Sequence, residues 1–456
     1  MFARSSLLFL SFLASGAGGA PAHTTVAPSL GHHTPAPDVR ELLGAARGVA
    51  PALCVLAADG ISTMGRWGGG MWDAPAMSIG GEVRTRVREI LRARYSADDS
   101  RALLDGLSAD DACVRHLAAT LIGRSEDKGF VDQLASRLTS ASPAERQAAA
   151  IALGLLDANE GVDPLLRALR DVSADVRANA AWGLGRIGDK RAARTLVALL
   201  RDDHPEVRAA TVVALGRLEA RENVDALLRV LKEDPSAEVR RVAAWALGQL
   251  EARAAIQGLG TALRQDKSSE VREMSAWALG NIGSRETVDA LLAALKSDES
   301  SEVRETAAWA LGQLNARNAV DALAEAVGRD KEAEVRGTAA WALGQIHMDR
   351  APASLVAALK DSDDDVRLKA AWALSHIGDA DAIPAVTEAL KSEQRERVRQ
   401  ALIRALLESG ERSEEALTGL LQSKDEKTRE LAVRALAGRR GPWPWPWPWP
   451  RPRPAP

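Results

Sequence analysis

The 456-residue chain contains little cysteine and no excess of charge of either sign. Two cysteines are too few for a disulfide framework or for a four-thiolate zinc site. Lys and Arg together number 59, and Asp and Glu number 62, so the formal net charge is -3. Because the chain lacks the basic excess that attracts phosphate, we expect no nucleic-acid partner.

Phenylalanine and tyrosine are also scarce. The sequence has 4 Phe and 1 Tyr but 12 Trp. Phe2, Phe9 and Phe12 lie close to the N-terminus, so tryptophan is nearly the only aromatic residue in the rest of the chain. The positions of the tryptophans are therefore informative.

The first 22 residues have the features of a secretory signal peptide. Arg4 supplies positive charge, residues 7–13 form an apolar stretch too short to span a bilayer as a helix, and the Ala-Pro-Ala of residues 20–22 is a cleavage site. The alternative is an apolar N-terminus that is not processed. We predict an exported protein, either periplasmic or extracellular.

Residues 23–82 are predicted to contain a linker, a helix that begins after Asp38 and a Gly/Trp-rich loop. The loop comprises residues 65–77 and includes Trp67 and Trp72. It is either a binding loop or a plug on the first repeat. We favour the plug, because the end of a repeat array must be covered.

Export would make a disulfide between Cys54 and Cys113 chemically possible. The residues themselves favour the simpler interpretation, in which both are partly buried thiols.

From about residue 83 to residue 438 the chain repeats itself with a period of 31 or 32 residues. The clearest copies are EVRRVAAWALGQL, EVREMSAWALGNI, EVRETAAWALGQL and EVRGTAAWALGQI, which begin at residues 238, 270, 302 and 334. Weaker copies extend the series in both directions, to about 11–12 units. A constant period of this length indicates a solenoid.

Each unit is predicted to contain two helices. In the copy at 238–250 the apolar residues recur at helical spacing on one face, and a second apolar segment follows a short polar turn. Alanines and the repeated glycine (Gly248, Gly280, Gly312 and Gly344) would allow helices to approach closely. We therefore predict an all-α superhelix of two-helix repeats.

The repeated pattern D-x4-V-R-x-x-A-A-W-A-L-G-x-[IL] resembles the HEAT-repeat consensus, in the short form named after the phycobilisome lyases. The resemblance covers residues 83–438. It implies an α-solenoid but says little about function, because such arrays serve many purposes.

An aspartate and an arginine recur in these repeats, the aspartate five residues before the repeated valine and the arginine directly after it. In HEAT arrays the equivalent aspartate and arginine form bonds between neighbouring units and to backbone groups at the turns. We favour this structural role over an anion-binding row, because each Arg is matched by an Asp. The predicted ladder consists of Asp171, Arg177, Asp202, Arg208, Asp234, Arg240, Asp266, Arg272, Asp298, Arg304, Asp330, Arg336, Asp361 and Arg367.

A single repeat position holds tryptophan in six units. On a helical wheel this position points roughly 150° away from the apolar stripe, which predicts a row of exposed indoles. An amide often follows four residues later, and by resemblance to HEAT arrays this helix lines the concave side. Such a surface suits an extended peptide, although the indoles could instead pack between repeats. The candidate binding residues are Trp182, Trp245, Trp277, Trp309, Trp341, Trp372, Gln249, Asn281, Gln313 and Gln345.

The C-terminal tail, residues 439–456, alternates proline with tryptophan and arginine, which favours an extended polyproline-like segment. It could insert at a membrane surface, dock on an aromatic groove or be low-complexity sequence of little function. The residues concerned are Trp443, Trp445, Trp447, Trp449, Arg451 and Arg453.

We predict that the chain is not an enzyme. HEAT-like deoxyhypusine hydroxylase holds iron with His-Glu dipeptides, and none of the 7 His here is followed by Glu. The export signal argues against a phycobilin lyase, and no catalytic or metal-binding motif is recognisable. We expect no cofactor and no small-molecule substrate. The predicted function is a protein-interaction scaffold, with a membrane-associated role of the tail or an unrecognised lyase- or hydroxylase-like activity as alternatives.

Overall fold

The described part of the chain consists of short helices arranged in two rows. A computed structural model describes residues 39–48, 95–125, 127–408 and 414–437, all of which belong to the unit Asp38–Pro456. The predicted signal peptide, Gly/Trp-rich loop and tail lie outside these residues. None of the described helices is long and apolar enough to cross a membrane.

In chain order the helices are α1 (Val39–Ala45), α2 (Ala97–Gly106), α3 (Ala112–Arg124), α4 (Val131–Arg137), α5 (Pro143–Leu156), α6 (Val162–Ala168), α7 (Ala174–Ile187), α8 (Ala193–Leu196), α9 (Pro205–Arg217), α10 (Val224–Glu233), α11 (Ala237–Gln249), α12 (Ile256–Gln265), α13 (Ser269–Ile282), α14 (Val288–Ser297), α15 (Ser301–Gln313), α16 (Val320–Arg329), α17 (Ala333–Gln345), α18 (Ala353–Ala357), α19 (Asp364–Ile377), α20 (Ile383–Ser392), α21 (Glu396–Glu408), α22 (Glu414–Leu420) and α23 (Glu426–Leu436).

From α2 onward the helices pair, each even-numbered helix with the odd-numbered helix after it. Consecutive odd-numbered helices from α3 to α21 pack closely on one another, α23 contacts α21 more lightly, and together they form what we call the core row. Even-numbered helices, α2 to α22, touch each other only lightly and form the flanking row. No strand occurs within the described ranges. The predicted all-α solenoid is confirmed.

Local sequence explains where the core-row helices begin and end. Asp111 and Asp363 begin α3 and α19, each accepting hydrogen bonds from two backbone N–H groups of the first turn. At the C-terminal ends, Gly188, Gly283 and Gly378 adopt a left-handed conformation that is accessible to glycine without a Cβ clash. Each turn then leads through a short 3-10 segment into the next flanking helix.

Glycine sets the spacing of the core row. A Cβ built on Gly248 in α11 would lie 2.9 Å from the Cα of Ala278 in α13 and 2.8 Å from Cζ3 of Trp277. The equivalent Gly280 and Gly312 face Ala310 and Ala342 in the same way. Because a side chain cannot fit at these distances, the repeated glycine allows neighbouring helices to approach to backbone contact.

The Asp and Arg ladder joins each repeat to the next. Nε and Nη2 of Arg240 donate to both carboxylate oxygens of Asp266, at 2.7 and 2.9 Å, and its Nη1 donates to the Asp234 carbonyl at 2.8 Å. The same arrangement recurs as Arg177–Asp202, Arg208–Asp234, Arg272–Asp298, Arg304–Asp330 and Arg336–Asp361, with Nε–Oδ2 distances of 2.6–2.8 Å.

The carboxylates of the ladder also hold the loops between repeats. Asp266 Oδ1 accepts the backbone N–H of Ser268 at 2.9 Å, just before α13 begins. The hydrogen bonds from Arg336 hold the pKa of Asp361 below its usual value, although burial acts in the opposite direction. Each pair therefore links two repeats and fixes the loop of each.

The ladder extends further than the fourteen predicted residues. Asp171 is bound by Arg146, whose repeat has glutamate instead of valine before the arginine. At the other end Arg367 pairs with Glu393 instead of an aspartate, and Arg399 pairs with Asp425. These additional pairs were not predicted from the sequence, because their repeats depart from the consensus at these positions.

The structure contradicts the interpretation of Cys113 as a thiol. Cys113 is buried at the start of α3 and is disulfide-bonded. The sequence offers one other cysteine, Cys54, which lies outside the described residues. Spacing in the sequence gave no basis for predicting this disulfide, because it does not show which cysteines approach each other.

We predict that Arg272→Ala lowers the free energy of unfolding by about 3 kcal/mol, because it leaves the largely buried Asp298 carboxylate without its partner. Arg285→Ala is the matched control, since Arg285 is exposed and has no ion pair within the described residues. It should change stability by less than about 0.5 kcal/mol. Urea unfolding measures both, and equal effects would contradict the structural role of the ladder.

We also predict that Gly248→Ala destabilises the protein by about 2 kcal/mol, although alanine ordinarily favours helix, because the added methyl overlaps α13. Gly419→Ala, in α22 with open space around it, should instead stabilise by about 0.5–1 kcal/mol. Thermal unfolding of the two variants separates close packing from helix propensity.

Candidate binding surface on the core row

The six tryptophans of the repeats do not form a uniformly exposed row. Trp245, Trp341 and Trp372 are buried, with 6%, 1% and 7% of their surface exposed. Trp182 in α7, Trp277 in α13 and Trp309 in α15 are partly exposed. Of the two interpretations left open by the sequence, packing between repeats therefore applies to these three buried residues, and the other three keep part of their surface exposed.

All six indoles, buried or partly exposed, pack against the glycine of the preceding repeat. A Cβ on Gly312 would lie 3.0 Å from Cζ3 of Trp341, and one on Gly344 would lie 2.7 Å from that of Trp372. Each indole thus covers the glycine of the repeat before it. The indoles of Trp341 and Trp372 are also stacked on each other, with ring centroids 6.4 Å apart. A helical wheel treats one helix alone and cannot show contacts with the next repeat.

The residues four positions after the tryptophans lie closer to solvent. Gln249, Asn281 and Gln313 are exposed, and Gln345 is half-buried. The Asn281 side-chain amide donates to the Gly248 carbonyl oxygen at 3.0 Å, so it reaches back across the repeat boundary. We call the surface formed by the tryptophan positions and these following positions the open face of the core row.

Charge is distributed unevenly along the open face. In its middle part Glu273 is buried in α13, and Glu305 in α15 accepts a hydrogen bond from Thr338 at 3.2 Å. Arg241 in α11 pairs with Glu238 at 2.7 Å. This hydrogen bond raises the pKa of Arg241, and the negative charges of Glu270 and Glu273 raise it further. Carboxylates therefore accompany the middle indoles.

At the N-terminal end of the open face, arginine replaces the amides. The guanidinium carbon of Arg186 lies 5.8 Å from the centre of the Trp182 ring, a cation–π contact. Arg217 in α9 occupies the same repeat position, and so does Arg124 in α3. Arg124 and Arg217 are not among the predicted binding residues, because their repeats lack the tryptophan that marks the candidate surface. They can be recognised in the sequence because they lie four residues after the repeat position that holds tryptophan in other units.

The described residues offer no metal centre. No group of three or more His, Cys, Asp or Glu residues in the described part of the chain is placed to hold a metal ion. His376 lies against Trp372, with ring centroids 4.0 Å apart, and makes an aromatic contact there.

Comparison with known families agrees with this architecture. A family model described as HEAT repeats matches residues 100–172, 162–248, 224–312, 256–343, 288–371 and 329–407, which together cover more than half of the chain. The chain belongs to the HEAT-repeat family. No curated protein matches it.

Several solved HEAT-repeat structures share the fold. Kap95p in a study of its binding to RanGDP has a TM-score of 0.56 at 14% identity, and the match covers 87% of this chain and 62% of Kap95p. Yeast importin-β (Kap95p) gives 0.52 at 14% identity, with 85% and 63% covered. Kap95 in complex with Nup1 gives 0.52 at 15% identity, again with 85% and 63% covered. The chain thus spans less than two thirds of these proteins, and at this identity the likeness concerns the fold.

We predict that Trp341→Ala costs about 3–5 kcal/mol of unfolding free energy, because it leaves a cavity above Gly312 in a closed part of the core row. Trp277→Ala, whose indole occupies the same repeat position but is partly exposed, should cost clearly less. Urea unfolding of the two variants tests the difference in burial. Equal losses would show that both indoles are packing residues of the same kind.

Proposed function

We propose that this HEAT-repeat chain is an exported, non-catalytic scaffold that binds a protein or an extended peptide along the open face of its core row. The observation that carries the proposal is the register of partly exposed indoles and exposed amides on consecutive helices, of which Trp277, Asn281, Trp309 and Gln313 are the central members. Indole and amide groups together suit a peptide backbone, since one supplies apolar contact and the other hydrogen bonds.

In the proposed binding mechanism, the ligand contacts several shallow subsites at the same time, and their contributions to affinity add up. The repeats that contain α11, α13 and α15 each present a partly exposed indole, an exposed amide or both, and a ligand that crosses these repeats engages them together. Weak contacts joined in one chain reinforce each other, because binding at one subsite raises the effective concentration at the next. The importin-β-like fold supports this proposal, and the structures of Kap95 named above concern partners of that protein, RanGDP and Nup1.

Two finer assignments accompany the proposal. The signal-like residues 1–22 support export, and the short repeat with its V-R-x-x-A-A-W-A-L-G pattern supports the phycobilisome-lyase type of HEAT repeat without its enzymatic role. The experiment below uses residues 23–456 and an envelope extract because we propose export, and it does not depend on the type of HEAT repeat.

The proposed function predicts that charged side chains on the open face abolish partner capture. Residues 23–456 serve as bait in an envelope extract, beside a variant that carries Gln249→Lys, Asn281→Lys and Gln313→Lys. A protein retained by the bait and lost by this variant, at unchanged circular dichroism, supports a ligand on the open face.

The matched control places three lysines on the flanking row instead, at the exposed positions Gln257, Thr261 and Ala293. This control should capture the same protein as the bait. An identical catch from all three proteins would reject the open face as the binding surface.

A further inference from the structure

The middle of the open face is acidic. The positions two residues before and one, two, five and nine residues after each ladder arginine, or its equivalent, fall in one sector of the helical wheel, which contains the indoles and amides. At these positions α13 and α15 each carry two carboxylates, α17 carries one, and none of the three helices carries a basic residue. The carboxylates belong to Glu270, Glu273, Glu302, Glu305 and Glu334.

This acidic excess is confined to three helices. Every other core-row helix has at least as many basic as acidic residues at the same positions, and Arg241 in α11 and Lys369 in α19 border the stretch. The helices α13 and α15 also hold Trp277 and Trp309, which keep part of their surface exposed. The open face thus combines accessible indoles with negative charge in one place.

In α15 a carboxylate, an indole and an amide follow one another along the helix. Glu305, Trp309 and Gln313 are each four residues apart, and residues at this spacing are neighbours on a helix surface. Oε1 of Glu305 accepts the Thr338 hydroxyl at 3.2 Å, whereas Oε2 has no hydrogen-bond partner and Glu305 has no ion pair within the described residues. Because a carboxylate accepts several hydrogen bonds, Oε2 is available to a guanidinium that lies beside the indole.

Glu270 offers a second carboxylate on the neighbouring helix. It lies in the first turn of α13, is exposed and forms no ion pair with any residue that the structure describes. The charge of Glu270 acts on Arg241, but that arginine is already paired with Glu238 at 2.7 Å. Two carboxylates that lack an ion pair therefore accompany the middle indoles.

The C-terminal tail carries the complementary chemistry. Residues 441–450 have no charged side chain, and Arg451 and Arg453 follow them. The alternating prolines favour polyproline II, which advances about 3.1 Å per residue, so Arg451 is about 43 Å and Arg453 about 50 Å along an extended chain from Ala437. Ala437 directly follows α23, the last described helix of the core row.

The acidic stretch lies within this distance. Helices that pack directly are up to about 10 Å apart, so four steps along the core row from α23 reach α15 within about 40 Å, and five steps reach α13 within about 50 Å. An extended tail that follows the core row passes α21, α19 and α17 with its uncharged residues. Its arginines then arrive at the helices that carry Glu305 and Glu270.

We propose that the tail binds the open face of its own chain, with Pro450 against the indole of Trp309, Arg451 at Glu305 and Arg453 at Glu270. Aromatic surfaces bind polyproline segments, and arginine pairs with carboxylates through directed hydrogen bonds. The tail then occupies the surface that the proposed function uses, so a protein partner must displace it. The inference rests on the proposed function in this respect and names the chain itself as the first occupant.

Attachment to the same chain favours this occupant. A tethered segment has an effective concentration in the millimolar range when its length matches the span. Contacts between exposed charges are individually weak, but at such a concentration they are sufficient to hold the tail. The same weakness lets a partner with a larger interface replace it.

Cross-linking locates the tail. In residues 23–456, Pro452→Cys is combined with Gln313→Cys in α15, and a short bismaleimide, which reacts only with free thiols, joins cysteines that lie close together. This intramolecular cross-link should form about tenfold faster than in the matched control, which combines Pro452→Cys with Ala293→Cys at an exposed position of the flanking helix α14. Equal rates would overturn the proposal.

Two further outcomes would also overturn it. A cross-link that forms only between two chains assigns the open face to the tail of a second copy. Binding to vesicles of anionic lipid, with no preference for the cysteine at position 313, assigns the tail to a membrane surface instead.

Charge reversal tests the pairing. Arg451→Glu with Arg453→Glu should slow the cross-link at position 313 about fivefold, and the further changes Glu270→Arg and Glu305→Arg in the same chain should restore it. Because restoration is a gain, it does not arise from damage to the fold. Failure to restore the cross-link, at unchanged circular dichroism, contradicts the assigned pairs.

The matched control for the reversal is Glu233→Arg with Glu286→Arg, which changes two exposed carboxylates of the flanking row and a turn. In the chain with the acidic tail it should not restore the cross-link. Equal restoration by both pairs of changes would show that only net charge matters and would overturn the proposal.

Capture from the envelope extract separates this inference from the proposed function. The chain with Arg451→Glu and Arg453→Glu should recover more of the partner than the unchanged chain, because its tail no longer competes. A cross-link at position 313 without any captured partner supports the tail contact and rejects the proposed function. Capture that depends on Gln249, Asn281 and Gln313, without the cross-link, rejects the tail contact alone.

Discussion

The bidentate contact between an arginine of one repeat and a carboxylate of the next determines how the repeats stack. Arg240 holds Asp266 with two nitrogens and the Asp234 carbonyl with the third, so one guanidinium joins two loops and a helix. The pair is largely buried, and the loss of either member would leave an uncompensated charge. Because the contact recurs from Arg146 to Arg367, neighbouring repeats are joined in the same way along this part of the described array.

Given this stacking, the close approach of the core row decides what the tryptophans do. The repeated glycine removes a side chain where two helices meet, and the indole of the next repeat covers it, as Trp341 covers Gly312. The glycine and the tryptophan are thus two halves of one packing contact. The binding capacity of the open face comes from residues beside this contact, chiefly Gln249, Asn281 and Gln313, and from the parts of Trp182, Trp277 and Trp309 that remain exposed.

Variation at a single repeat position then divides the open face into regions of different chemistry. Arg124, Arg186 and Arg217 give the N-terminal part its positive charge, and amides take over from Gln249 onward. Since the backbone geometry is repeated, side chains at equivalent positions lie at regular intervals, and a ligand of matching period can contact several of them. Specificity in such an array comes from the order of the substitutions along the chain.

The sequence by itself determined the all-α solenoid, its period and the ladder, because each depends on a pattern that recurs in nearly every unit. Only the tertiary structure decided which indoles are buried, that Glu393 substitutes for an aspartate beside Arg367, and that Cys113 is disulfide-bonded. These features depend on contacts between segments about 25 or more residues apart, and a helical wheel describes only the environment within one helix. Periodicity therefore predicts the repeat, whereas exposure and pairing depend on how neighbouring repeats meet.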